Sequence, residues 1–174
     1  MATCRASCST QRKEGNDMNA IVGADLSNAI SSLTEGKSFT LGDEYTQNGK
    51  RYVFVQADGA IASGDVCIYS EAYQADQIDT TNSAGAVGDR VGVAIYAFAD
   101  DDYGWLQVEG PIDAINVGSS CAANTKLNTT ATAGRIDDDA TSGAETILGL
   151  YTTASESSNS AAGILNRPFI DATL

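Results

Sequence analysis

Residues 39–59 of this chain, FTLGDEYTQNGKRYVFVQADG, decide the fold. Asn48 and Gly49 stand between two runs rich in tyrosine, valine and phenylalanine, and both residue types tolerate the positive φ of a tight turn. An Asn-Gly pair in this setting is the strongest short-range signal for a β-hairpin. We therefore predict two antiparallel strands that meet at Asn48 and Gly49.

Short runs of strand-forming residues follow this hairpin, with Gly, Asn, Asp and Ser between them. The predicted strands are residues 65–69, 90–98, 105–109, 114–117, 125–129, 146–152 and 162–166. After residue 37 we find no helical period. We therefore predict that residues 38–174 form one all-β domain, an antiparallel barrel or sandwich, because strand number and alternation suit both.

Two segments of this domain resemble each other weakly. Residues 92–111 (GVAIYAFADDDYGWLQVEGP) align without gaps with residues 149–168 (GLYTTASESSNSAAGILNRP), at a constant offset of 57. The offset superimposes the two prolines of the chain, Pro111 and Pro168, which we expect where a missing backbone donor is tolerated. A true repeat predicts two related β units that share one core, and chance similarity between two hairpins is the alternative.

An N-terminal arm, residues 1–37, precedes the β domain and differs from it in charge. Residues 1–17 carry a net charge of +1, whereas residues 18–174 carry −14. Apolar residues then recur at spacings of three and four between Met18 and Leu33, which predicts a short amphipathic helix. Gly23 lies inside this pattern and weakens it, so an extended arm that becomes ordered on docking is the alternative.

Two predicted strands are apolar on both faces. In residues 52–55 (YVFV) and 91–98 (VGVAIYAF), neither alternate set of side chains is polar, so one face can cover a core while the other meets a second sheet or another subunit. The candidate subunit-interface residues are Tyr52, Phe54, Tyr103 and Trp105. Burial of these strands within their own chain is the alternative, and Trp105 then plugs the core.

The composition argues against several classes of function. The net charge is −13, with 23 acidic and 10 basic residues, so no basic surplus is available for nucleic-acid phosphates. Histidine is absent, which removes Ser-His-Asp and Cys-His catalysis and most catalytic zinc sites. The four cysteines form no CxxC pair, and we expect free thiols. We expect no enzymatic activity, no catalytic residue, no cofactor, no metal, and neither nucleic acid nor a membrane as a partner.

Acidic triplets occur at residues 100–102 and 137–139, in predicted loops. Oxygen-rich loops can bind Ca²⁺ with six to eight ligands, but consecutive side chains diverge and no EF-hand pattern is present. The offset of the repeat places residues 157–159 (SSN) opposite the first triplet, so the repeat does not preserve it. We interpret both triplets as solvated loops, with calcium binding as the alternative.

Three glycine-punctuated segments resemble the head-decoration, or cement, proteins of tailed bacteriophages. They are residues 41–69 (LGDEYTQNGKRYVFVQADGAIASGDVCIY), 90–111 (RVGVAIYAFADDDYGWLQVEGP) and 121–150 (CAANTKLNTTATAGRIDDDATSGAETILGL). The resemblance covers about residues 41–168 and rests on strand patterns instead of catalytic signatures. It implies a small β-rich homotrimer on the outer surface of an expanded capsid, where it bridges neighbouring subunits of the major capsid protein.

We therefore expect a structural virion protein, synthesised in the host cytoplasm, that cements and stabilises the phage head. The arm combines basic charge with an apolar stripe, so it is the candidate for contact with the capsid or with a neighbouring trimer. The contact residues are Arg5, Arg12, Lys13, Met18, Ile21, Val22 and Leu26. The alternatives are a head fibre or host-adhesion module that binds glycan through acidic loops and Trp105, and a carboxylate-dependent hydrolase.

Overall fold

The Asn48-Gly49 hairpin forms as the sequence predicts. In the computed structural model, which describes residues 24–33, 39–139 and 141–173, strand β1 (Glu44–Gln47) pairs antiparallel with β2 (Lys50–Ala57). Asn48 and Gly49 have φ angles of 52° and 75°, the left-handed conformation that an Asn-Gly turn accommodates. The turn residues therefore set the register of the first strand pair.

Eight further strands complete the sheet: β3 (Val66–Tyr69), β4 (Gln74–Gln77), β5 (Arg90–Ala94), β6 (Tyr103–Asn116), β7 (Leu127–Thr129), β8 (Ile136–Asp137), β9 (Glu145–Thr152) and β10 (Ser160–Thr173). The described residues contain no helix, so the all-β prediction is confirmed. They contain no helix that could cross a membrane either. The strands predicted at residues 105–109 and 114–117 are one continuous strand, β6, and β4 and β8 were not predicted.

The strands form one sheet in the order β1-β2-β4-β3-β5-β6-β10-β9-β7-β8. An additional pairing between β2 and β6 closes a ring of five strands, β2-β4-β3-β5-β6. Strands β10, β9, β7 and β8 extend this ring from β6, and β10 also pairs with β5 of the ring. Pairing is antiparallel between the described strands except between β2 and β4, which are parallel. The architecture is therefore a small ring with an open extension.

The repeat at an offset of 57 corresponds to two similar strand pairs. Strand β5 pairs antiparallel with β6, and β9 pairs antiparallel with β10. Gly110 and Arg167, which the offset aligns, each precede a proline and have φ angles of 94° and 46°. The offset would pair Leu150 with Ile164, but Leu150 faces Leu165, so the two registers differ by one residue.

Two hydrophobic clusters fill the interior, and β3 contributes to both because alternate side chains point to opposite faces of a strand. Val66 and Ile68 belong to an aliphatic cluster that includes residues of β9 and β10. Cys67 and Tyr69 belong to an aromatic cluster with residues of β2 and β6. Residues 52–55 of β2 and 91–94 of β5 are also buried, so these doubly apolar segments are covered within their own chain, which was one of the two alternatives.

The described part of the arm is extended, so the helix prediction is wrong for residues 24–33. The Ile30 N–H donates to the Tyr103 carbonyl, and the Tyr103 N–H donates to the Ile30 carbonyl, both at 2.8 Å. Ala24, Leu26 and Ala29 pack with Ile30 against the aromatic cluster. Ile30 thus forms backbone hydrogen bonds with β6 instead of the hydrogen bonds of a helix, and the apolar residues of the arm are buried against the aromatic cluster. Residues 18–23 lie outside the described residues.

Candidate interaction surfaces

An apolar strip crosses the outer face of β6, β10 and β9. Tyr151, Ile164 and Phe169 are 51%, 47% and 40% exposed. Ile164 lies between Pro111 of β6 and Tyr151 of β9, and Phe169 pairs with Leu148. Leu165 and Ile170 of β10 belong to the aliphatic cluster, so Ile164 and Phe169 share the opposite face of the strand. We call Pro111, Leu148, Tyr151, Ile164 and Phe169 the apolar strip.

An arginine–glutamate network lies where β1, β2, β6 and β10 meet. Both Arg51 and Arg167 place a guanidinium nitrogen 2.9 Å from the same Glu44 carboxylate oxygen. They also approach Glu109, at 3.3 and 3.6 Å. Partial burial alone would raise the pKa of Glu44, but the hydrogen bonds from both arginines lower it below its ordinary value. Four side chains from four strands are thereby joined.

A small cleft of about 60 Å³ adjoins this network, and Gly42, Tyr69, Tyr73, Arg90 and Arg167 are among the residues that line it. The two tyrosine rings stack with centroids 6.3 Å apart. The Arg90 guanidinium carbon lies 5.6 Å from the Tyr69 centroid and 5.3 Å from that of Tyr73, within cation–π range. We call this feature the tyrosine cleft. The cleft borders the apolar strip, because Phe169 of the strip pairs with Arg90 of the cleft across β10 and β5.

The structure places three of the four candidate interface residues in the core. Tyr52, Phe54 and Trp105 are 6%, 1% and 2% exposed, and the Trp105 ring lies 5.0 Å from the rings of Phe54 and Phe39. Side chains with so little exposed surface cannot form a subunit contact, so the structure corrects the interface prediction for them. It also removes Trp105 as a glycan-binding surface. Tyr103 is half-buried, and its backbone pairs with the arm.

The candidate contact residues of the arm fall almost entirely outside the described residues. Arg5, Arg12, Lys13, Met18, Ile21 and Val22 lie in the undescribed segment 1–23. Leu26 is half-buried and packs against the aromatic cluster, where it lines a groove with Lys50 and Tyr52. The arm therefore joins the β domain at this groove.

Two carboxylates of the first acidic triplet accept hydrogen bonds from other residues of the chain. The Asp102 carboxylate accepts the Ala99 N–H at 2.9 Å, and the Asp101 carboxylate accepts the Gln56 side-chain amide at 3.3 Å. These contacts shape the turn that precedes β6.

The second triplet lies beside a buried thiol. Ligand atoms of Cys121, Asp137 and Asp138 lie within 4.8 Å of one another. Burial and the neighbouring Asp138 raise the pKa of Asp137, and burial above all raises the pKa of the Cys121 thiol to about 11. Asp138 already accepts the Ala122 N–H at 3.2 Å. Three ligands that include a protonated thiol fall short of the oxygen set that Ca²⁺ takes, so we propose no metal here.

Sequence reasoning missed the apolar strip and the tyrosine cleft because their members are far apart in the chain. One sequence feature pointed toward these surfaces: the repeat aligns the bends before Pro111 and Pro168, and these two prolines lie in or beside the apolar strip and the tyrosine cleft.

A scan against protein-family models and a search of curated proteins found no match to this chain.

Proposed function

We propose that this chain is a capsid decoration protein of a tailed bacteriophage. In this role it binds the outer surface of the head as a homotrimer and cements neighbouring subunits of the major capsid protein, which stabilises the head. It is a structural virion protein without enzymatic activity, synthesised in the host cytoplasm. The observation that carries the proposal is the apolar strip on β6, β10 and β9.

The strip supports a binding role because three of its members are large and exposed, and two of them, Tyr151 and Ile164, are cross-strand neighbours. Among the described residues, Leu33, Val87, Tyr151, Ile164 and Phe169 are the exposed large hydrophobic side chains, and the last three lie on two paired strands. Single exposed hydrophobic residues are ordinary, but a contiguous group commonly marks a protein–protein contact. Aromatic residues at the centre of such a group contribute a large share of binding energy.

The arm supplies a second contact in this proposal. It leaves the β domain beside Leu26, and the segment before it carries the basic residues Arg5, Arg12 and Lys13 in an otherwise acidic chain. Two contacts in each of three linked protomers bind with a high effective concentration once the first has docked. Modest single contacts are then enough for lasting attachment to a capsid.

The strip is tested by the double variant Tyr151→Ser and Ile164→Ser. We expect it to fold like the parent and to lose either its trimeric mass in sedimentation or its co-sedimentation with capsids that lack the protein. Val87→Ser is the matched control, because Val87 is 59% exposed and lies outside the strip. If the double variant keeps both trimer and capsid binding, the strip is not the contact.

The arm is tested by a chain that begins at residue 24. This boundary keeps the residues that cover the aromatic cluster, so the β domain remains intact. We expect unchanged urea unfolding and reduced decoration of capsids. Full decoration by this truncated chain would exclude Arg5, Arg12, Lys13, Met18, Ile21 and Val22 as necessary contacts.

A further inference from the structure

We propose that the tyrosine cleft is a binding site for a carboxylate group carried by an acidic protein segment. This site can bind an acidic segment whether or not the protein binds a capsid.

The cleft carries positive charge in a chain whose net charge is −13. Arg90, Arg167 and Glu44 line the cleft, and Arg51 and Glu109 complete the network beside it, so three guanidinium groups stand against two carboxylates. Arg51 and Arg167 share both carboxylates. Among the described residues, Arg90 forms no ion pair with a carboxylate, so one positive charge is left uncompensated at the cleft.

Arg90 is held by aromatic rings, which leaves donors for a ligand. Its guanidinium lies against the Tyr69 and Tyr73 rings at cation–π distance. An arginine has five N–H donors in a planar fork, and the fork matches the two oxygens of a carboxylate. Stacking fixes the orientation of the fork before a ligand arrives, which lowers the entropy lost on binding.

Two residues of the cleft adopt a left-handed backbone without being glycine. Tyr73 has a φ of 60° and Arg167 a φ of 46°. The repeat aligns Arg167 with Gly110, which also has a positive φ. One bend therefore has an arginine where the aligned bend has a glycine. A Cβ on Gly42 would lie 2.5 Å from the Tyr73 ring, so this glycine leaves room for the ring. Strain of this kind is concentrated at ligand sites.

The surroundings favour a carboxylate over a phosphate. The cleft is about 60 Å³, and the Glu44 carboxylate lines it beside the arginines. A dianionic phosphate would be repelled by this carboxylate more strongly than a singly charged carboxylate would. The planar fork of an arginine can hold either group at two points, so the repulsion from Glu44 is what separates them. An acidic segment of a partner protein presents this group on a side chain that can enter the cleft.

The test is a titration of the full chain with the peptide acetyl-GEEEEG-amide, followed by the arginine Nε–H signals in NMR. Acetyl-GQQQQG-amide and inorganic phosphate are the comparison ligands. We expect the glutamate peptide to shift the Arg90 signal and to bind more tightly than either comparison. Equal binding of the glutamine peptide would overturn the proposal, and tighter binding of phosphate would overturn the assignment of a carboxylate.

Variants separate the site from the fold. Arg90→Gln and Arg167→Gly should each weaken binding of the glutamate peptide about tenfold, the equivalent of one good charge-assisted contact. Arg167→Gly also relieves the strained φ, so thermal melting should show a folded protein. Arg135→Gln is the control, because Arg135 lies outside the cleft beside Asn159. An effect of Arg90→Gln no larger than that of Arg135→Gln would overturn the proposal.

Discussion

Replacement of Gly110 by alanine should destabilise the protein far more than the same replacement at Gly143. Both glycines have a left-handed backbone, with φ angles of 94° and 81°. A Cβ on Gly110 would lie 2.5 Å from the Gly49 carbonyl oxygen and 3.0 Å from the Lys50 Cα, whereas a Cβ on Gly143 would meet nothing within 4 Å. The two variants therefore share the conformational cost and differ in the steric one.

The magnitudes follow from these two costs. A left-handed non-glycine residue costs about 1–2 kcal/mol, which we expect for Gly143→Ala. Overpacking adds about 1–3 kcal/mol, so Gly110→Ala should cost about 2–5 kcal/mol in total. The clashing atoms belong to the backbone of the β1–β2 turn, which cannot rotate away as a side chain would. The turn must shift, and Arg51 of the network shifts with it.

Urea unfolding of the two variants and the parent measures the difference directly. At a slope of about 1–3 kcal/mol per molar urea, the expected difference in unfolding free energy between the two variants should clearly separate their urea midpoints. Equal midpoints for Gly110→Ala and Gly143→Ala would refute the close approach of β6 to the hairpin. Circular dichroism of each variant without urea confirms that both remain folded.

Three further results are expected. Tyr96→Phe should cost about 1–3 kcal/mol in urea unfolding, because the buried N–H of Trp105 donates to the Tyr96 hydroxyl at 2.6 Å; an unchanged midpoint would contradict that bond. In a variant with Cys4 and Cys8 replaced by serine, Ellman's reagent should leave Cys67 and Cys121 unreacted in the native protein and should react with both in denaturant. Both thiols are buried, and burial raises the pKa of each. Rapid labelling of the native protein would contradict their burial. Arginine hydrogen bonds lower the pKa of Glu44 in the folded state, so the stabilisation from this carboxylate is present above its unfolded pKa and is lost as pH falls through the lowered value. Because the ion pair is exposed, it contributes less than about 1 kcal/mol. Glu44→Gln should remove this part of the pH dependence of stability, and identical stability–pH curves for variant and parent would exclude the contribution.

The sequence was most informative where structure is local. The Asn48-Gly49 turn and the apolar runs on either side of it specify a hairpin without help from the rest of the chain. Strand β4 has the sequence QADQ, which is no local strand signal, and it forms because β2 and β3 offer backbone partners on both sides. The helical spacing of the arm was misleading for residues 24–33, because Ile30 gains backbone bonds to Tyr103 instead.

The surfaces could not be predicted for a different physical reason. Tyr69, Arg90 and Arg167 lie on or beside three different strands, and only the strand order of the sheet brings them together. The apolar strip likewise depends on register, since Ile164 meets Tyr151 and Pro111 only in the observed pairing. The sequence left Trp105 open between an interface and the core, and the structure places it in the core.

We propose that this protein works by binding other protein surfaces on a phage head. The most direct test mixes the purified chain with expanded capsids that lack it, from the phage proposed to carry it, and counts the bound copies after sedimentation. We predict saturable binding of trimers at a copy number that matches the three-fold and quasi-three-fold positions of the shell. No binding, or only a few copies per particle as expected of a fibre or adhesin, would contradict the claim.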